Sequence, residues 1–403
     1  MGNKPICVAP WVNITLDQHG TLLPCCKTRR DNNETNSIYD AGSIRNAWNS
    51  DLMKEIRKKL ARHEWHDVCK QCKYLHERGM NSYFSLFHWL ANIDEDIDYS
   101  REDGSADFNV KILDIRFDNK CNLACRMCGP KASTAWYKDA IILQDKSIPS
   151  PPFVSLADRI NIVDQIIDLS ESLEAMCIIG GEPLMSDQHW ETLTRLADMQ
   201  RTNIWLMYNT NLTSLTYKSY NALDVWSKFK KVTVNVSLDS IGGRNSYIRH
   251  GSDWDQILQN ITLVQQLPNV EIKIHSTVTA LSVFELPDLY DLLMARFGLA
   301  PHQLHATIVD RPTYYSTSVL PMEMRSHLQH KYNNFIDNIT KRGADQGKIS
   351  HWRGIVQHLS APQDLDGLEE FKRVTKILDD LRGESVLDVF PELACLWTKE
   401  TPY

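Results

Sequence analysis

Three cysteines stand close together in the stretch Cys121-Asn122-Leu123-Ala124-Cys125-Arg126-Met127-Cys128. The stretch follows an apolar run, Ile112–Phe117, that has the composition of a buried strand. Three thiolates on one short loop can bind three irons of a [4Fe–4S] cluster and leave the fourth iron open for another ligand. A structural zinc site normally takes a fourth protein ligand nearby. The spacing therefore favours an iron–sulfur cluster over a zinc loop or three core cysteines.

This spacing resembles the signature of the radical S-adenosylmethionine (SAM) superfamily. In that family the open iron binds the amino and carboxylate groups of SAM. An electron from the cluster then cleaves the sulfonium to a 5′-deoxyadenosyl radical. The resemblance implies that Cys121, Cys125 and Cys128 hold a catalytic [4Fe–4S] cluster. It also implies an electron donor such as flavodoxin or ferredoxin.

Strand-like and helical segments alternate through the middle of the chain. The strand-like runs are mostly apolar, as in parallel sheets covered on both faces, and they are Ile112–Phe117, Met176–Ile179, Ile204–Tyr208, Val232–Leu238, Ile272–Val278 and Leu304–Val309. The helical segments between them are Ile160–Leu169, His189–Met199, Asp255–Gln266 and Leu286–Phe297. The alternation predicts an α/β fold with a parallel sheet. The resemblance implies that the sheet is a partial (β/α)6 TIM-like barrel, with the chemistry at the carboxyl ends of its strands.

A glycine-rich motif, Gly180-Gly181-Glu182, follows the second predicted strand. Two glycines let the backbone approach a ligand closely. The motif resembles, in chain order, the family's contact with the amino group of SAM. Asn211 ends the third strand and resembles the family's Thr-Asn-Gly motif, with Leu212 in place of the glycine.

Further SAM contacts are implied around the fourth strand. Ser237 and Asp239 share one face of that strand. They resemble the family's ribose and carboxylate contacts, and Arg249 is a candidate for the methionine carboxylate. The alternatives are a polar turn at the strand end and, for Arg249, a surface salt bridge. Met127 stands where many family members have an aromatic residue against the adenine.

Other polar side chains on or near strand ends are candidates to hold substrate or to take a proton. These candidates are Arg116, Tyr208, Asn235, His275, His305 and Asp310. A single polar residue in such a position more often has a structural role. Cys177 lies inside an apolar strand, so packing is its better explanation.

A second set of cysteines, Cys7, Cys25, Cys69 and Cys72, lies near the N-terminus. A β-hairpin over residues 12–23 is expected to carry Cys25 back toward Cys7. Four cysteines in two pairs make a closed site for zinc or for a cluster. Their spacing resembles the SPASM/twitch auxiliary domain and implies a second [4Fe–4S] cluster. Because a full SPASM domain has further cysteines, twitch is the better match, although here the module precedes the core. Cys26 is either an alternative ligand or a buried free thiol.

Three domains are predicted along the chain. Residues 1–106 form the twitch-like auxiliary module, residues 107–310 the radical SAM partial barrel, and residues 311–403 a helical C-terminal extension. Apolar periodicity predicts helices over Pro321–Lys341 and Leu365–Leu381, and Gly383 ends the second. Cys395 is weak evidence for a further ligand.

The composition limits the partners. The chain has 403 residues, 44 basic and 51 acidic, for a net charge of −7. No basic block is long enough to indicate nucleic-acid binding, and no apolar run approaches the length of a membrane span. Ten cysteines in a long chain indicate metal binding in a reducing, cytoplasmic setting.

Three hypotheses for function follow. The preferred one is a radical SAM enzyme that abstracts hydrogen from an unactivated C–H bond of a small molecule, leading to oxidation or rearrangement. The single auxiliary cluster favours that substrate class. The first alternative is a maturase that modifies a peptide or protein side chain. The second is a metal-binding scaffold without catalytic activity, against which the complete three-cysteine motif and the two glycines argue.

Overall fold

The computed structural model describes residues 6–28, 36–77, 98–99 and 101–397. The chain divides into two compact units, each built from several segments. Unit 1 is formed by Met1–Asn119, Phe153–Tyr208 and Thr216–Thr233, and unit 2 by Lys120–Pro152, Asn209–Leu215 and Val234–Tyr403. The three-domain division at residues 106 and 310 stays a prediction.

Eight of the strands found in the described residues form one sheet, in the order β10-β9-β8-β5-β4-β3-β1-β2. Their bounds are β1 Asn13–Leu16, β2 Leu22–Leu23, β3 Ile112–Arg116, β4 Ala175–Ile179, β5 Trp205–Thr210, β8 Lys231–Ser237, β9 Val270–Val278 and β10 Leu304–Ile308, and a separate hairpin contains β6 Thr216–Tyr217 and β7 Tyr220–Asn221. All six predicted strands are confirmed. The α/β fold with a parallel sheet is also confirmed, and the strand order is open, as a partial barrel requires.

The N-terminal hairpin is part of this sheet. Thr15 pairs with Leu23 in the antiparallel hairpin, which confirms the predicted turn. The same strand, β1, pairs in parallel with β3, with Ile14 opposite Leu113. The sequence did not predict this second pairing, because β1 has only four residues and carries no signal for its partner.

Helices follow the strands in alternation. They are α1 Ala9–Val12, α2 Ile38–Ala41, α3 Ile44–Ala47, α4 Asp51–Ala61, α5 Lys70–His76, α6 Tyr137–Ile142, α7 Ile162–Leu169, α8 Asp187–Asp198, α9 Ala222–Trp226, α10 Gly242–Ile248, α11 Trp254–Val264, α12 Leu286–Phe297, α13 Met322–Lys341, α14 Gln346–His358, α15 Leu365–Arg382 and α16 Val386–Val389. The predicted helices are confirmed, including the end of α15 at Gly383, which has a left-handed φ of 63°. α14 was not predicted. None of the described helices is long and apolar enough to cross a membrane.

α14 covers the free edge of the sheet. The Nζ atom of Lys348 donates to the carbonyl oxygen of Leu304 at 2.7 Å. The Nε2 atom of His351 lies 2.6 Å from the carbonyl oxygen of Ala306. These carbonyls belong to β10, the last strand of the order, and no strand of the described residues pairs with its outer edge. The two side chains therefore satisfy acceptors that an edge strand would otherwise leave exposed.

The two faces of β4 differ in their surroundings. Met176 and Ile178 are fully buried, whereas Cys177 and Ile179 are half-buried. Successive side chains of a strand point to opposite faces, so one face of the sheet here is sealed and the other is more open. The more open face is the one that can meet a ligand.

Candidate functional site

The three cysteines Cys121, Cys125 and Cys128 lie on a loop of unit 2, in the chain segment that follows β3. None of them forms a disulfide. A hydrogen bond from Cys128 holds the pKa of the buried Cys125 thiol below its ordinary value, and the Arg249 guanidinium nearby adds to this effect. The same hydrogen bond raises the pKa of Cys128. Because the thiolate is the form that binds metal, this environment suits a metal ligand at Cys125.

Nitrogen donors approach the sulfurs of this loop. The Nη1 atom of Arg249 lies 3.9 Å from Cys125 Sγ. Asn211 Nδ2 lies 3.9 Å from Cys121 Sγ, and the backbone N of Leu123 lies 3.5 Å from the same sulfur. Hydrogen bonds to cysteine sulfur are one of the means by which proteins tune iron–sulfur clusters. The loop therefore fits a cluster both in its donor set and in its surroundings.

Asp239 contacts both Arg249 and the backbone of β9. Asp239 is fully buried, and its Oδ2 atom lies 2.8 Å from Arg249 Nε. Its other oxygen, Oδ1, accepts a hydrogen bond from the backbone N of Thr277 at 2.7 Å. Two residues predicted separately as SAM contacts thus form one buried ion pair. Arg249 does form a salt bridge, which was the alternative considered for it, but the pair is buried and does not lie at the surface.

The backbone of the three-cysteine loop is held by a neighbouring segment, residues 248–251. Ala124 N donates to His250 O at 2.9 Å, and Arg126 N donates to Ile248 O at 2.8 Å. Gly251 has a φ of +95°, and a Cβ there would lie 3.3 Å from the carbonyl oxygen of Asn122. A side chain at position 251 would therefore press on the loop as well as strain the backbone.

The remaining predicted SAM contacts are placed as follows. Gly180 follows β4 in unit 1 with a φ of +139°, and a Cβ there would lie 3.0 Å from the carbonyl oxygen of Asp118, so the position requires glycine. Gly181 N donates to the same oxygen at 3.3 Å. Glu182 is buried and its Oε1 accepts from Leu184 N at 3.1 Å, which gives it a role in its own turn. Ser237 ends β8 and is half-buried, as is Met127.

The N-terminal cysteines come together in unit 1. Burial raises the pKa of Cys7, and the charges of Cys25, Cys69 and Cys72 raise it further. Burial also raises the pKa of Cys69 to about 12, with Cys25 and Cys72 as its charged neighbours. The four predicted thiols are therefore mutual neighbours. Among the described residues, no three His, Cys, Asp or Glu side chains are arranged to hold a single metal ion.

Cys26 has a different main neighbour from the four cysteines of the N-terminal set. Its pKa is raised by burial and then by the charge of Asp114, and Asp114 in turn interacts with the Cys26 thiol. This places Cys26 beside β3, although Cys25 and Cys177 also lie near it. Cys395 is half-buried, with its sulfur 3.8 Å from the carbonyl oxygen of Glu392.

Three of the other polar candidates, Tyr208, His275 and His305, contact side chains of the protein itself. Tyr208 is fully buried and its hydroxyl lies 2.8 Å from His189 Nε2; burial lowers the pKa of His189 to about 3. His275 Nε2 lies 2.7 Å from Thr307 Oγ1, and its ring contacts that of His305. The sequence missed Arg126 and Asp114. The only signals for them were a charge inside the three-cysteine motif and a carboxylate inside an apolar strand.

Two family models match this chain. Residues 115–280 match the radical SAM superfamily, and residues 7–73 match SPASM, an iron–sulfur cluster-binding domain. The first match contains Cys121, Cys125 and Cys128. The second contains all four N-terminal cysteines. None of the curated protein sequences matches the chain.

Solved structures also resemble the chain at low identity. Native anSMEcpe with bound AdoMet is 20% identical with a TM-score of 0.37, and the likeness covers 57% of this chain and 59% of that one. SuiB from Streptococcus suis bound to S-adenosylmethionine is 15% identical with a TM-score of 0.41, covering 82% of this chain and 70% of that one. SuiB bound to the precursor peptide SuiA is 15% identical with a TM-score of 0.38, covering 83% and 70%.

The two family matches follow the chain in the order of its two cysteine sets. Both families bind iron–sulfur clusters, and the first uses SAM. The cofactors are therefore SAM and [4Fe–4S] clusters, one catalytic and one auxiliary. The chain therefore contains a region that matches the radical SAM superfamily, residues 115–280, and before it a SPASM-type iron–sulfur domain, residues 7–73.

Proposed function

We propose that this chain is a radical SAM enzyme that abstracts a hydrogen atom from an unactivated C–H bond in a peptide or protein side chain. The observation that carries the proposal is the loop of Cys121, Cys125 and Cys128, in which nitrogen donors lie 3.9 Å from two of the sulfurs. Three thiols leave one iron of a cubane cluster free for SAM. When bound, the cluster and SAM supply the 5′-deoxyadenosyl radical.

The chain's own residues position and shield this chemistry. We assign Cys121, Cys125 and Cys128 to the catalytic cluster, with Arg249 and Asn211 stabilising charge on its sulfurs. The proposed SAM contacts are those predicted from the sequence, namely Gly180, Gly181, Glu182, Asn211, Ser237, Asp239, Arg249 and Met127. A buried Asp239–Arg249 pair is preorganised, so it can present the guanidinium without rearranging at the moment of reaction.

The N-terminal quartet is proposed to hold the auxiliary cluster. Cys7, Cys25, Cys69 and Cys72 form a complete thiol set and leave no open iron. Such a cluster is suited to substrate placement or to removing an electron, and not to cleaving SAM. Hydrogen bonding and burial set its potential.

The N-terminal domain supports a peptide or protein as the substrate. That segment matches the SPASM model, and relatives with this domain modify peptide side chains. The match therefore supports the peptide alternative over the small molecule that the sequence favoured. An inactive scaffold is a poorer explanation of a complete three-cysteine loop with donors aimed at its sulfurs.

The proposed partners are a peptide substrate and an electron donor such as flavodoxin or ferredoxin. A net charge of −7 gives no support to nucleic-acid binding. Ten cysteines without a disulfide fit a reducing compartment, so we propose a cytoplasmic setting.

The cleavage step is tested without substrate. Anaerobic protein with reconstituted clusters is incubated with dithionite and SAM, and 5′-deoxyadenosine is measured by chromatography. Wild type should form it slowly, and Cys125→Ala should form none. Cys395→Ala, which removes a half-buried thiol outside both cysteine sets, is the matched control and should behave as wild type. Wild type that holds its clusters and never cleaves SAM would refute the proposal.

The substrate class is tested by isotope transfer. Wild-type protein is incubated with unlabelled SAM and a uniformly deuterated extract of the source cells. Hydrogen abstraction from the substrate moves deuterium into 5′-deoxyadenosine, which mass spectrometry detects. We expect the transfer to disappear after the extract is digested with protease. Transfer that survives digestion and passes into a fraction of small metabolites would favour the small-molecule hypothesis.

A further inference from the structure

A row of paired residues crosses the more open face of the sheet in unit 1. Thr15 of β1 pairs with Asp114 of β3, Asp114 pairs with Cys177 of β4, and Cys177 pairs with Met207 of β5. Side chains of directly paired residues point to the same face. Asp114 and Cys177 therefore stand side by side on the face where Cys177 is half-buried.

Asp114 has an unused hydrogen-bond acceptor. The residue is 5% exposed, and its Oδ2 atom lies 3.4 Å from Thr15 Oγ1. Its Oδ1 atom is buried and has no hydrogen-bond partner in the structure. Burial raises the pKa of the carboxyl. The charge of Arg116 and hydrogen bonds with the side chains of Cys26 and Thr15 lower the pKa, but by less than burial raises it. A buried acceptor without a partner is unfavourable unless a ligand supplies a donor.

Arg116 lies two residues further along the same strand and shares its face. Two steps along a parallel strand span roughly 6.6 Å. Arg116 is half-buried, and no carboxylate in the described residues lies within ion-pair distance of its guanidinium. The positive charge of Arg116 nevertheless lowers the pKa of Asp114. A planar guanidinium is matched to a carboxylate, which it binds through two hydrogen bonds.

Two cysteines, Cys26 and Cys177, lie next to the Asp114 carboxyl group. Cys177 is paired with Asp114 across the two strands, and the Cys26 thiol interacts with the same carboxyl group. The site therefore contains one hydrogen-bond acceptor without a partner, Asp114 Oδ1, and one cation, Arg116. Two distinct polar groups at a fixed spacing can select a ligand that carries both complementary groups.

We propose that Asp114 and Arg116 are a substrate-binding pair that receives a carboxylate next to an N–H donor. The carboxylate binds the Arg116 guanidinium, and the N–H group donates to Asp114 Oδ1. In a peptide, an acidic side chain with its neighbouring backbone amide provides both groups; a free acidic amino acid has the same chemistry. This inference rests on the proposed function, because it names a substrate feature for the same enzyme.

Cys177 gives a readout that does not depend on turnover. In anaerobic, cluster-loaded protein, alkylation of Cys177 by anionic iodoacetate is compared with alkylation by neutral iodoacetamide, using peptide mass spectrometry. The Arg116 charge should favour iodoacetate, and Arg116→Gln should lower the ratio of the two rates roughly three- to tenfold. Arg116→Lys keeps the charge and should retain most of the preference. Cys395 is the internal control, and its ratio should be the same in every variant.

Protection by small probes separates the sources of the carboxylate. N-acetyl-glutamyl amide should slow the alkylation of Cys177 by iodoacetamide, whereas N-acetyl-glutaminyl amide should not. Asp114→Asn and Arg116→Gln should each remove most of the protection. Protection by N-acetyl-glutamyl amide but not by free glutamate supports a peptide source. Equal protection by the two supports the binding pair with a small acidic molecule as its ligand.

Three outcomes would overturn the inference. They are an unchanged rate ratio in Arg116→Gln, equal protection by the glutamyl and glutaminyl probes, and a Cys177 that neither reagent reaches in folded protein. The same wild-type sample is assayed for 5′-deoxyadenosine. Protein that cleaves SAM without showing the charge preference refutes the binding pair alone. Protein that shows the charge preference without cleaving SAM refutes the proposed function and supports the pair.

Discussion

The Nη2 atom of Arg126 lies 2.6 Å from Oδ1 of Asp379. Arg126 stands inside the three-cysteine motif and is 1% exposed, while Asp379 lies near the end of α15. The same nitrogen is 2.6 Å from Glu384 Oε2, and the Tyr247 hydroxyl donates to Asp379 Oδ1 at 2.7 Å. The helical C-terminal region, for which no chemical role is predicted from the sequence, thus holds the three-cysteine loop in place.

Asp379→Asn should weaken both the fold and the loop. The substitution removes one of the two negative charges that pair with the buried Arg126 guanidinium. Breaking a buried ion pair in this way typically destabilises a protein by about 3 kcal/mol or more. We expect a reduction of that size in the free energy of unfolding, measured by anaerobic denaturant titration. The visible absorbance of the cluster at the three-cysteine loop should also decay faster in the presence of a chelator.

Asp380→Asn is the matched control for this change. Asp380 is the next residue, and its carboxylate pairs with Lys376 at 3.0 Å, with both side chains about two-thirds exposed. Exposed pairs of this kind contribute about 0–1 kcal/mol. If Asp379→Asn is no less stable than Asp380→Asn, the Arg126 network does not support the loop.

The parts of the fold that the sequence predicted are those with local signals. The strands and helices around residues 112–310 have their own apolar periodicity, and the cysteine sets have short spacings. Arg126 and Asp379 are 253 positions apart, and no spacing rule connects an arginine with a distant carboxylate. The ion pair of Arg249 with Asp239 likewise has no signal in the sequence, although both residues are predicted as SAM contacts. Asp114 is not predicted as a site residue because a single polar residue within an apolar strand carries no sequence signal of its own.

The two adjacent cysteines Cys25 and Cys26 should behave differently. Cys25 belongs with Cys69 and Cys72, whereas Cys26 has Asp114 as its main charged neighbour. Cys25→Ser should therefore remove about four irons per chain, and Cys26→Ser should retain them. Iron and sulfide are measured after anaerobic reconstitution. The reverse result would make Cys26 the ligand.

Replacing Cys121, Cys125 and Cys128 together by alanine should remove one cluster and leave the other. Wild type should bind about eight irons with matching sulfide, and the triple variant about four. The residual cluster belongs to the N-terminal quartet, which keeps all four thiols. Stoichiometric zinc without sulfide in the triple variant would show that the N-terminal site is not a cluster.

Arg249→Gln should make the catalytic cluster harder to reduce. Arg249 Nη1 lies 3.9 Å from Cys125 Sγ, and its positive charge stabilises the reduced, more negative cluster. Removing that charge also leaves Asp239 unpaired, which acts in the same direction. We expect the reduction potential to fall by about 50 mV, equivalent to nearly a tenfold change for one electron. Redox titration followed by electron paramagnetic resonance measures it, and Arg249→Lys should stay closer to wild type. An unchanged potential in Arg249→Gln would show that the guanidinium does not act on the cluster.

The last prediction separates the two cysteine sets by their roles. Cys69→Ala with Cys72→Ala removes half of the closed N-terminal quartet, while the three-cysteine loop that leaves an iron open for SAM is unchanged. Substrate-free formation of 5′-deoxyadenosine should therefore persist, and turnover of the true substrate should be lost. Because a cluster can also stabilise its domain, circular dichroism and the absorbance of the remaining cluster are measured first. A folded double variant that loses substrate-free cleavage would contradict the division of roles. One that keeps full substrate turnover would make the N-terminal metal structural.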